Sequence, residues 1–153
     1  MSINMKSDAA GRSPVWMSRV LRLAAGYNLL WGALVVLFPL LPFRWMEMAE
    51  PNYPAIWQCV GMIVGVYGVG YGIAATDPLR HWPIVLVGLL GKIFGPIGFV
   101  WHASHGTLPW SMGLTILTND IAWWIPFGAI LLCAWRENSR HSCDQRERTD
   151  SAI

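Results

Sequence analysis

Two charged side chains stand inside long apolar runs: Lys92 within 84–100 and Asp120 within 114–127. The short connection 102–109 joins these runs, so if both cross a membrane as a hairpin, depth can be counted from it. Lys92 lies about 10 residues before the connection and Asp120 about 11 after it. At roughly 1.5 Å per residue both sit about 15 to 16 Å deep, near the middle of a hydrocarbon core roughly 30 Å thick. Opposite charges at matching depth predict a pair. An ionisable group there costs roughly 2.5 to 3.5 kcal/mol on insertion scales, so it is expected to face protein, to have a partner and often to have a role. Snorkelling does not relieve Lys92, whose side chain reaches roughly 6 Å against a half-thickness of about 15 Å.

Other polar groups gather at the same depth. Pro96 lacks the N–H that would bond the carbonyl of Lys92, and Pro126 does the same to the carbonyl of Ala122, so both central helices are expected to bend and to present backbone acceptors. Helical spacing puts Gly88, Gly95 and Pro96 on the Lys92 face, which predicts that the lysine points into the bundle. Trp123, Trp124 and Ile116 share the face of Asp120, with Asn119 adjacent. Tyr27 and Asn28 in the first apolar run, and Tyr67 in the second, also fall near mid-depth. The candidate ligand-binding or proton-handling set is therefore Lys92, Asp120, Asn119, Tyr67, Asn28, Trp123 and Trp124.

Two readings of this set stand side by side. In the structural one, Lys92 and Asp120 form a buried salt bridge that pins the hairpin, and Asn28, Asn119 and Tyr67 satisfy the remaining donors and acceptors. In the functional one the same groups bind a ligand or handle a proton, because burial penalises both charges and makes their protonation sensitive to what lies beside them. A weaker metal candidate combines Glu47 and Glu50 of the first loop with His102 and His105, which suits zinc or, with Met46 and Met48, copper. His81 is expected at the opposite face, which argues against a bis-histidine haem. The identity of any cofactor is left open by the sequence.

The elements that must position these groups are four apolar runs, at about 18–41, 55–75, 82–101 and 110–135. The expected fold is all-α, an integral membrane four-helix bundle over 18–135, preceded by a polar segment 1–17 and followed by a solvated tail 136–153. The first run reads as an uncleaved anchor, since it is long and lacks a small-residue cleavage site. Gly61 with Gly65, and Gly68 with Gly72, repeat the spacing that lets helix backbones approach closely in lipid, and Gly88, Gly91, Gly95 and Gly98 give the third run a similar surface.

Composition agrees with lipid as the main solvent. The chain is 54% hydrophobic and 13% charged, against about 25% charged in a soluble domain. A net charge of +2 is too mild to argue for nucleic acid. Cys59, Cys133 and Cys143 make neither a disulfide framework nor a metal knuckle. Orientation follows from the basic residues: Lys6, Arg12, Arg19, Arg22, Arg80, Arg136, Arg140, Arg146 and Arg148 fall on one side and Arg44 alone on the other, which predicts cytoplasmic termini in a plasma membrane. Trp16, Trp45, Trp57, Trp82, Trp101, Trp110 and Trp135 fall at span ends, as an interfacial belt requires.

In size, hydropathy and Gly-rich helices across 18–135 the chain resembles the DoxX-like group of small bacterial four-helix membrane proteins. That resemblance implies an inner-membrane accessory role, in some members connected with quinone-linked redox chemistry, and assigns no role to an individual residue. The leading expectation is an accessory or small-ligand-binding membrane subunit. A small oligomeric proton-coupled carrier and a purely structural protein are the alternatives, with a second copy or another membrane subunit as partner. An enzyme has least support, since no nucleophile–base pair or phosphate loop is visible.

Overall fold

A computed structural model describes residues 13–150, with side chains described for 13–140. Among the described residues it is helical throughout, with no strand. Helix α1 spans Val15–Leu37, a short α2 spans Leu41–Trp45, α3 spans Pro54–Ala74 and α4 spans Trp82–Ser104. The last long run is composite: a 3-10 turn at Trp110–Met112, α5 at Gly113–Ile116, a π turn at Leu117–Ile121, then α6 at Ala122–Asp150. Four stretches are long and apolar enough to cross a membrane: α1, α3, α4 and Trp110–Arg140.

The boundaries have local causes. Pro54 and Pro83 stand in the first turns of α3 and α4, where a missing N–H costs nothing. The first run was expected to continue to about residue 41, yet α1 stops at Leu37. Pro39 disfavours helical backbone at Phe38, which takes φ −132 and ψ 63, and the chain restarts as α2. At the other end, α6 continues as helix to Asp150, beyond the apolar run and through most of the segment read as a solvated tail.

Packing is closest between α1 and α3, and glycine is the reason. A Cβ placed on Gly32 would lie 2.6 Å from the carbonyl oxygen of Gly61 and 2.9 Å from the nitrogen of Gly65. One placed on Gly68 would meet the carbonyl oxygen of Ala25 at 3.0 Å. These helices touch backbone to backbone, as the glycine spacing of α3 anticipates. Polar contacts tie their ends antiparallel: Gln58 Nε2 donates to the carbonyl of Val36 at 2.8 Å. Ser13 Oγ donates to Asp77 Oδ1 at 3.1 Å, which puts the start of α1 beside the α3–α4 connection.

The apolar core lies toward that same end, where Met17, Leu21, Tyr71, Val85, Phe127 and Ile130 pack together. Outward faces carry Leu30, Val66, Phe94, Leu114 and Ile125, all more than half exposed. These exposed apolar side chains lie on the four stretches that are long and apolar enough to cross a membrane. Trp45, Trp101 and Trp110 are well exposed at or near helix ends and Trp135 is exposed within α6, but Trp57 packs inward against Trp31 and Phe43, with ring centroids 5.8 and 5.3 Å away.

Candidate ligand-binding site

Lys92 is 5% exposed and Asp120 6% exposed, each buried at mid-span. Both point into the bundle, as their depth and glycine-rich neighbours require. The expected direct ion pair between them does not form: no N–O contact within 4 Å joins these two side chains. Instead Lys92 Nζ donates to the backbone carbonyl of Asn119 at 2.6 Å and lies 5.8 Å from the centroid of the Trp123 ring, within cation–π range. Asp120 Oδ1 accepts from Asn119 Nδ2 at 3.2 Å. Each is held by a different part of Asn119.

The π turn explains this arrangement. An α-helix commits each carbonyl to the N–H four residues on, whereas the π turn at Leu117–Ile121 widens the ladder at Asn119 and Asp120 and re-aims their groups. Single π turns of this kind concentrate at functional positions. Proline has the complementary effect on α4, which stays one helix through Pro96. The carbonyl of Lys92, deprived of its N–H partner by Pro96, accepts from Trp124 Nε1 at 2.9 Å. Lys92 thus bonds to the fourth span through its side chain and through its backbone.

Around this centre, Trp123 packs against Tyr27 at 6.0 Å and Phe127 at 5.9 Å between centroids. Tyr27 Oη donates to Thr118 Oγ1 at 3.4 Å, and Trp123 Nε1 to the carbonyl of Thr118 at 3.2 Å. Tyr67 stacks beside Tyr71 at 6.3 Å. Tyr71 is the more deeply buried of the two, with its ring against Gly88 and Phe127; its single turn of offset from Tyr67 was the available signal. Asn28 is 3% exposed and its Oδ1 has no partner. The sequence-derived set therefore converges around Lys92, Asp120, Asn119, Trp123 and Trp124, with Tyr67 flanking; no hydrogen bond among the described residues joins Asn28 to it.

A cavity of about 280 Å³ lies between this centre and the 102–109 connection, lined in part by Trp31, Trp57, Gly95, Phe99 and Asn119. Gly95, one of its lining residues, also neighbours the buried carboxylate: a Cβ there would stand 3.5 Å from Asp120 Oδ2. Trp31 and Trp57 were not in the sequence-derived set. The inward turn of Trp57 depends on helix rotation, which its span-end position does not reveal.

The metal candidates are not assembled. No cluster of three or more His, Cys, Asp or Glu side chains occurs among the described residues. Glu50 pairs with Arg44 at 3.0 Å, His102 Nδ1 faces Thr107 Oγ1 at 3.0 Å and His105 Nδ1 faces the carbonyl of Trp101 at 2.7 Å. Glu47 is exposed with φ 52 in the loop. Cys59 and Cys133 are free thiols, and the side chain of Cys143 lies outside the described residues.

No known family model, curated protein or solved structure matches the chain. The functional reading rests on the geometry alone.

Proposed function

We propose that this chain is a multi-pass membrane protein that binds a small amphipathic ligand at the Lys92–Asn119–Asp120 centre, as an accessory subunit of a membrane process. The observation that carries the reading is that the two buried opposite charges are held apart. A purely structural pair gains most by direct contact, because the Coulomb attraction must offset the desolvation of both ions. Here a backbone carbonyl and an indole face hold the ammonium, an amide holds the carboxylate, and a half-open cavity lined in part by Asn119 and Gly95 lies beside them. Charges kept separate beside a cavity suit recognition better than bracing.

Localisation to a bacterial inner membrane with both termini cytoplasmic is part of the proposal, and its support is the distribution of basic residues. The DoxX-like likeness and a link to redox chemistry enter on the same footing, as does a second copy or another membrane subunit as partner. Purified protein reconstituted in vesicles tests the reading. A small organic molecule recoverable from the washed vesicles, with no proton flux in response to an imposed gradient, is the expected result. Flux that Asp120→Asn abolishes would make the protein a carrier instead.

A further inference from the structure

The first part of the fourth span, Trp110–Ile116, is held differently from the rest of it. It consists of one 3-10 turn and one α turn, and the π turn at Leu117–Ile121 separates it from α6. None of its residues is buried. Its hydrogen bonds are local, such as Thr115 Oγ1 to the carbonyl of Met112 at 2.6 Å; among the described residues none reaches α1, α3 or α4. It leans on a single ring, Phe99 of α4, which lies edge-on to Trp110 at 6.0 Å between centroids and against Gly113. From the π turn onward the span is pinned: Thr118 accepts from Tyr27, the carbonyl of Asn119 from Lys92, and Trp124 donates to the carbonyl of Lys92. The boundary between the unpinned and the pinned part therefore falls in the π turn, where the regular ladder is already broken.

We propose that Trp110–Ile116 is a gate that turns about the π turn to open and close the cavity beside Asn119. Met112, Thr115 and Ile116 belong to the lining of that cavity, together with Trp31 of α1 and Trp57 of α3. Closure brings Met112 and Ile116 toward the two indoles and removes apolar surface from the opening. Space for the movement exists: the cavity holds about 280 Å³, and a Cβ on Gly98 in its wall would meet nothing within 4 Å. A segment with no buried side chain and only local hydrogen bonds opens at small cost, and hinges of lids are a few residues at the ends of elements. The gate rests on the ligand-binding reading only for its purpose, which is to admit and retain the ligand. Its motion is a property of the chain alone.

The test measures distances between pairs of spin labels by pulsed electron–electron double resonance. It uses the full chain in lipid nanodiscs, with Cys59→Ala, Cys133→Ala and Cys143→Ala and no ligand added. The gate pair, Ser111→Cys with Ile56→Cys, joins exposed sites on the gate and at the start of α3. The reference pair, Ile125→Cys with Val66→Cys, joins exposed sites beyond the π turn and in the middle of α3. The gate pair should give a longer and a shorter distance, and the reference pair one. Gly98→Leu fills the cavity, so it should remove the shorter gate distance and leave the reference distance, which reports an intact fold, unchanged. A single gate distance as narrow as the reference overturns the proposal, and so does a shorter component that survives Gly98→Leu. Either result leaves the ligand-binding reading standing, since that reading falls only if the washed wild-type vesicles yield no small molecule.

Discussion

Lys92 and Asp120 meet through Asn119, and their substitution should reflect that. Replacing Lys92 by Met removes the only hydrogen bond described for its ammonium and leaves the Asn119 carbonyl unpaired in a π turn. A cost of about 1–3 kcal/mol is expected, read as a lower thermal unfolding midpoint in detergent. An unchanged midpoint would mean that the carbonyl finds another donor. Trp124→Phe keeps the aromatic body but exposes the Lys92 carbonyl that Pro96 has freed, for a loss of about 1 kcal/mol. The same assay should show the smaller decrease, and a larger one than for Lys92→Met would contradict the ranking of the two bonds. That Lys92 and Asp120 are buried was legible in the sequence, because charge at mid-span has few other solutions. That they would not touch was not legible, since a five-residue π turn changes the rotational phase on which spacing arguments depend.

The elements divide in a similar way between what periodicity reveals and what it conceals. Hydropathy alone places four long apolar helices, and the glycine spacing of α3 anticipates its close contact with α1. Substituting Gly32 by Ala should therefore force those backbones apart, because the new Cβ falls 2.6 Å from the Gly61 carbonyl oxygen. Overpacking of this kind costs typically about 1–3 kcal/mol. Gly26→Ala, in the same helix with nothing within 4 Å of its Cβ, should instead be neutral or stabilising, by up to about 1 kcal/mol from helix propensity. Equal midpoints for the two variants would refute backbone contact as the basis of the α1–α3 pair. The end of α1 at Leu37 and the inward turn of Trp57 were not legible. The first is set by one proline within an otherwise unbroken apolar run, the second by rotation about the α3 axis.

In the whole molecule, packing is graded along the bundle. A dense apolar core lies toward the Ser13–Asp77 end, the buried charges follow at mid-height, and the cavity opens toward the 102–109 connection. The apolar core cluster and the cavity thus lie toward opposite ends of the bundle. Orientation in the membrane belongs to this scale: green fluorescent protein fused after residue 153 should fluoresce in a bacterial host, whereas alkaline phosphatase fused there should be inactive. Active phosphatase at that point would reverse the proposed topology. The central claim is that the separated charges serve a ligand, and native mass spectrometry of the purified protein tests it most directly. Wild type should carry a bound small organic molecule that is absent from an equally folded Lys92→Met, Asp120→Asn double variant. Bare polypeptide in wild type, or the same molecule retained in full by the double variant, would contradict it.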